Sequence, residues 1–194
     1  MREAQRRLPR LNRPPFSKDY KTNCSDTEMT SEPNSRPGFG GRGELLVVVQ
    51  FALMLGFALL PIWHPGVDAE TMDASAMFRT IAAAVLGLTA LAFGGLGSHH
   101  IRDYLTPLPY PVDHNRLVQH GVYAVVRHPL YASLLSAALA WTLYSMSLSH
   151  LLLLALGFLF FDFKARKEEG WLTERHPEYR EYAQRVAKFV PHVY

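Results

Sequence analysis

Four long stretches of this chain carry no charge, and that limits the fold more than anything else in the sequence. Leu45 to Trp63 reads LLVVVQFALMLGFALLPIW, and Ile81 to Gly97 reads IAAAVLGLTALAFGGLG. Leu130 to Met146 and Leu148 to Phe161 are two more, broken only by Ser147 and His150. A helix crossing the hydrocarbon layer needs about 20 predominantly apolar residues. The first run is long enough. The second becomes so once Met77 and Phe78 are included and Arg79 snorkels to the interface. The last two are short, which suits a tilted pair or a hairpin. All are apolar on every side, without the polar face of a soluble surface helix, and a chain of 194 residues leaves no core large enough to hide them. The mean hydropathy of -0.02 conceals this clustering. The expected fold is all-α, a multi-pass transmembrane helical bundle of about four spans near residues 45–63, 77–97, 129–146 and 148–163, followed by a cytoplasmic helical segment.

Residues 1–43 are of different material, rich in Pro, Gly, Ser and charge and poor in large apolar side chains, so a disordered tail is expected before a membrane domain over 44–194. The Arg-rich start suggests a transit peptide, but Glu3, Asp19, Asp26, Glu28 and Glu32 argue against one. Loop charge sets the topology. The tail holds nine Lys or Arg residues, the loop after the first run holds Asp68, Glu70 and Asp73 without a basic residue, and the connection 98–128 holds Arg102, Arg116 and Arg127. Seven basic residues from Lys164 to Lys188 follow the last run. Positive loops stay cytoplasmic, so both termini are expected inside, with the 98–128 connection and the C-terminal segment on one side of the membrane. That segment has helical character, and Pro177 should break it in two.

Chemistry-bearing residues fall on this cytoplasmic side. Arg127-His128-Pro129-Leu130-Tyr131 stands at the mouth of the third run. Alone it reads as a helix entrance: a proline in the first turn, an arginine at the headgroups and an interfacial tyrosine. Glu168-Glu169 alone reads as a solvated helix beside Arg166 and Lys167. The histidines 99, 100, 114, 120, 128 and 150 contain no pair spaced four apart, and no cysteine joins them, so no metal is expected. Cys24 can form no intramolecular disulfide, being the single cysteine. No P-loop, dinucleotide fingerprint or nucleophile elbow is present, and the glycines of GGLG at 94–97 read as close helix packing.

Together the landmarks are more specific. Tyr123, then Arg127-His128-Pro129-x-Tyr131, an apolar hairpin, Glu168-Glu169, Glu178-Tyr179-x-x-Tyr182 and Val190-Pro191 follow in that order. The pattern, from about His114 to Pro191, resembles the isoprenylcysteine carboxyl methyltransferase family of integral membrane methyltransferases, which is related to the phospholipid methyltransferases. The resemblance implies S-adenosylmethionine as cofactor, enclosed by segments 114–131 and 164–191. It implies Leu117, Val118, Tyr123, His128, Pro129, Tyr131 and Glu168 as cofactor residues. The family often places a substrate-facing arginine one turn before the glutamates, where this chain has Lys164. It favours glycine two residues after the motif tyrosine, where this chain has Ser133.

The residue types suit that cofactor. A sulfonium cation is attracted to aromatic faces and carboxylates, and Tyr123, Tyr131 and Glu168 supply both. Arg127 or His128 can bond the cofactor's carboxylate. Transfer is an in-line displacement in which alignment and exclusion of water are the enzyme's main contributions. A carboxylate acceptor needs no base, whereas an amine or thiol does, with Glu169 or His128 as candidates. With Arg127 and Glu169 the resemblance implies Lys164, in the place of the family's substrate-facing arginine, as the third catalytic candidate. The expected acceptor is lipidic or amphipathic, a small molecule or a prenylated protein: first a carboxylate, then a phospholipid amine, then a small thiol. Membrane lipids are the other expected partners and nucleic acid is not one. The location is the inner membrane of a bacterium or the endoplasmic reticulum of a eukaryote. Two rivals stand: a sterol reductase with a nicotinamide cofactor, which would need a larger cavity and more spans, and a non-enzymatic scaffold or lipid-binding subunit.

Overall fold

A computed structural model describes residues 43–101 and 117–194. The expectations for the tail over 1–42, and for Arg102, His114 and Arg116, lie outside the described residues. Within them the protein is all-helical, and its only β pairing is one isolated parallel bridge, Val126 to Ala187. The helices are α1 (Glu44–Leu59), α2 (Ala69–Ala74), α3 (Ala76–Ile101), α4 (Pro129–Ser145), α5 (Leu148–Arg175) and α6 (Tyr179–Arg185), with a 3₁₀ turn at Gly121–Ala124.

The apolar runs become helices, but with different ends from those expected. α1 stops at Leu59, short of residue 63, because Pro61 pushes Leu60 into extended geometry. The extended residues then grip the α4–α5 turn: Leu148 N–H donates to Trp63 O at 2.8 Å and Ser149 Oγ to Pro61 O at 2.8 Å. α2, in the acidic loop, escaped the sequence reading; Asp68 caps it by accepting from Thr71 N at 2.8 Å. α4 starts on Pro129, whose missing amide costs nothing in the first turn. It ends at Met146 in left-handed geometry, and Ser147 caps α5 one residue later. α5 runs 12 residues beyond its expected end, carrying Glu168 and Glu169 on the same helix as the apolar run. Pro177 breaks the segment as expected, with His176 extended between α5 and α6.

α3 and α5 are long and apolar enough to cross a membrane. α1 and α4 have 16 and 17 residues, roughly 25 Å at 1.5 Å per residue, against a hydrocarbon core of about 30 Å. α3 packs on α4, α4 on α5, and α5 on α1. The α3–α4 seam is close because its residues are small. A Cβ on Gly97 would lie 3.2 Å from Pro129 and Leu130, and one on Gly94 only 2.8 Å from Ser133 Oγ. Ser133 Oγ donates to Ala90 O at 2.7 Å. Two glycines of the GGLG sequence thus serve packing, as read, and the serine that replaces the family's glycine sits opposite one of them.

Candidate active site

At one end of the bundle, three separate pieces of chain converge. Residues 126–128 lead into α4 and pair with 187–188: Arg127 N–H donates to Ala187 O at 2.8 Å and His128 N–H to Lys188 O at 3.1 Å. The third piece is the polar end of α5. Val126, Ala132, Phe161, Ala165 and Phe189 form the apolar cluster on which these pieces rest.

Around that cluster the predicted residues meet. Glu169 Oε1 accepts from Arg127 Nε at 3.0 Å and lies 3.1 Å from His128 Nε2. His128 Nδ1 lies 3.5 Å from Glu168 Oε2, and the Tyr131 hydroxyl donates to Glu168 Oε1. The His128 and Tyr131 rings stack at 5.5 Å, and Tyr131 stacks on Phe161 at 5.0 Å. Arg127 NH1 donates to Ala183 O and Val186 O at 2.5 and 2.6 Å, which anchors the end of α6.

The histidine is buried between two carboxylates. Burial alone would lower its pKa, but the bonds to Glu168 and Glu169 and their charges outweigh it and hold His128 above its ordinary 6.5. Burial, then the Tyr182 and Glu168 charges, push the Tyr123 phenol well above its usual range. The Tyr182 phenol is pushed up to about 12, by burial first, with Arg127 opposing and Glu169 adding. Tyr182 donates to Tyr123 O at 2.5 Å, which fixes the 3₁₀ turn to α6. Gly121, at φ 62, opens that turn in a geometry that favours glycine, and its Cα faces the His100 ring too closely for any Cβ.

The remaining predicted residues sit around this core. Leu117 and Val118 are half-buried in irregular chain just before the 3₁₀ turn, outside the hydrogen-bonded cluster. Pro129 is buried against Gly97. Lys164 is 1 % exposed, has its Nζ 5.1 Å from the Tyr131 ring centre, and donates to Gln50 Oε1 of α1 at 2.5 Å.

Sequence reasoning missed four contributors: Gln50, Asp162, Lys188 and Phe189. Asp162 receives Lys188 Nζ and the Tyr194 hydroxyl, each at 2.7 Å, and Arg166 NH2 at 2.6 Å. Phe189 packs edge-on to His128 at 5.9 Å. A signal existed for the first two. Gln50 is a polar residue inside an apolar run, and Asp162 is the charge that ends one.

A family model, phospholipid methyltransferase, matches residues 78–179, more than half of the chain. The protein belongs to the phospholipid methyltransferase family. This family is related to the isoprenylcysteine carboxyl methyltransferases, as the ordered landmarks implied. The match takes in Arg127, His128, Tyr131, Glu168 and Glu169, and leaves α1 and most of α6 outside. The cobalt-zinc-cadmium resistance protein CzcN of Cupriavidus metallidurans is 38% identical over 78 residues, which are 40% of this chain and 36% of that protein. The chain thus aligns with little more than a third of that relative's length. No solved structure matches. Among the described residues no group of three or more His, Cys, Asp or Glu side chains is placed to hold a metal ion.

Proposed function

We propose that this membrane protein transfers a methyl group from S-adenosylmethionine to an amphipathic or lipidic acceptor. One observation carries the reading: Tyr131, at the entrance of α4, and Glu168, beyond the apolar run of α5, are in direct contact with His128 beside them. A scaffold has no need to bring an aromatic face, a carboxylate and a buried histidine together. The donor set fits the cofactor, since a carboxylate and stacked aromatic rings together attract a sulfonium or ammonium cation.

Bound there, the cofactor supplies an electrophilic methyl group on a sulfonium centre. The protein's part is positioning. Glu168 and the Tyr131 ring hold positive charge. His128, with a carboxylate at each ring nitrogen, carries its proton as a donor and is poorly suited to act as a base. Arg127 and Glu169 brace the entrance of α4 against α6. Phe161 and Phe189 keep water from the aromatic face.

Lys164 favours an anionic acceptor. Its buried amine lies beside the Tyr131 ring and donates to Gln50, and a donor there can also bond a carboxylate, so a carboxylate as in isoprenylcysteine is the first acceptor class. A phospholipid amine is the second, favoured by the family match, and a small thiol the third. Four crossings with both ends cytoplasmic complete the proposal. α1 and α4 reach across by tilting or by local thinning of the bilayer, and the basic residues beyond α5 keep the site at the inner leaflet.

The test is binding of S-adenosylmethionine to the purified protein in detergent, with Glu168→Ala and His128→Ala alongside. Binding by the wild type and at least tenfold weaker binding by both folded variants is expected. No binding by the wild type, or equal binding by all three, overturns the assignment. Membranes given labelled cofactor then show the acceptor, and label on a phosphatidylethanolamine amine would replace the carboxylate.

A further inference from the structure

A buried ion pair stands beside the cluster of His128, Glu168 and Glu169. Asp162 and Lys188 are both buried and meet at 2.7 Å, with Tyr194 and Arg166 on the same carboxylate. Two oppositely charged groups removed from water are no cheaper than an apolar pair of the same volume. A role in which direction counts is one reason for a chain to hold such a pair.

The geometry supplies one. Asp162 and Glu169 are seven residues apart on α5, two turns, so they project from one face about 10 Å apart along the axis. Each holds one of the two chain segments that pair beside α4. Glu169 takes the Arg127 and His128 side chains, whereas Asp162 takes Lys188. The backbone of that lysine accepts the His128 amide, and the next residue, Phe189, packs on the His128 and Tyr131 rings. The Lys188 tether thus reaches the site by two routes, through the amide of His128 and through the ring of Phe189.

We infer that Asp162 and Lys188 are positioning residues: a strut that seats segment 187–189 on α5 and so sets His128 and Tyr131 for the methyl donor. The strut touches neither cofactor nor acceptor. It rests on the methyltransferase reading for its consequence, but not for its structural part.

Lys188→Met keeps the length and removes the donor, whereas Lys188→Arg keeps a donor. In detergent, Lys188→Met is expected to weaken S-adenosylmethionine binding tenfold or more, with the acceptor KM unchanged, and Lys188→Arg to restore binding to within about threefold of wild type. Asp162→Asn, which keeps an oxygen for Lys188, should lie between them and serves if Lys188→Met does not fold. Hydrogen exchange at the Arg127 and His128 amides needs no cofactor. It should quicken in Lys188→Met while the α3 and α4 amides stay protected.

Unchanged cofactor affinity in a folded Lys188→Met, equal losses in the Met and Arg variants, or a lower kcat at unchanged cofactor KM overturns the strut. Should wild type bind no cofactor at all, the methyltransferase reading falls and the exchange result alone decides the strut. Quickened exchange at 127–128 keeps it, and unchanged exchange removes it.

Discussion

The outward side of α3 and the polar end of α5 are stabilised in opposite ways. On α3, Leu88 and Leu91 are 67% and 73% exposed, and little of the helix is buried in the protein. On α5, from residue 162 onward, Asp162, Lys164, Glu168 and Glu169 each have a named partner on another part of the chain. The first surface needs only to be apolar, because lipid tails are as apolar as leucine and give helices no hydrophobic reason to associate. The second must be right atom by atom, since a buried charge without its partner is costly. Information about which structure forms is therefore concentrated in the polar end and in the small-residue seam between α3 and α4.

The sharpest way to break that contrast is to remove a shared acceptor. Glu169→Ala leaves Arg127 and His128, 12% and 8% exposed, without their common carboxylate. It should cost about 3 kcal/mol, the lower end for a broken buried pair, read by thermal unfolding in detergent. The same substitution tests the pH dependence. His128 has its pKa raised in the folded protein, so the stabilisation it draws from the carboxylates is fully present below the ordinary value of 6.5. It is lost as pH rises through the higher folded value. Wild type should therefore melt earlier on the alkaline side than near neutrality. Glu169→Ala should show a smaller drop, with Glu168 still present, and an equal drop would remove His128 as the titrating group.

The seam offers the next largest effect, with one helix as its own control. Gly97 and Gly95 are both on α3, yet a Cβ on Gly97 meets the Pro129 ring at 3.2 Å and one on Gly95 meets nothing within 4 Å. Gly95→Ala should gain up to about 1 kcal/mol from helix propensity. Gly97→Ala must displace a rigid ring at the start of α4 and should lose about 1 kcal/mol net. A difference of about 2 kcal/mol between the two is expected. Equal values would mean that the seam yields, and that the entrance of α4 is not fixed by α3.

The same contrast explains what could be read from the sequence. The apolar runs announced α1, α3, α4 and α5, since membrane-compatible composition is a local property. The pairing of Arg127-His128 with Glu168-Glu169 was legible only through the order of landmarks, because nothing local joins residues about 40 positions apart. Lys188 and Phe189 escaped because their roles exist only after folding, and Gln50, though marked as a polar residue inside an apolar run, showed no partner. Gln50 looks like a tolerated polar residue until Lys164 of another helix reaches it. Lys188 looks like one more basic residue of the C-terminal segment until its own carbonyl accepts the His128 amide. The end of α1 was misplaced because composition stays apolar through Trp63 while Pro61 has already stopped the helix.

The smallest effect is expected where the contrast predicts none. Leu88→Ala removes a large side chain from an exposed helical position, and in a soluble core the same change costs about 2–5 kcal/mol through lost burial and a cavity. Here two-thirds of the residue already faces outward. Detergent or lipid refills the space, so no cavity remains, and alanine is the better helix former. The melting temperature should change by no more than a shift of about 0.5 kcal/mol allows, as for surface positions generally. A loss above about 1 kcal/mol would show that Leu88 is covered in the membrane, by another copy of the chain or by a second protein. The outer side of α3 would then carry specific information like the polar end of α5.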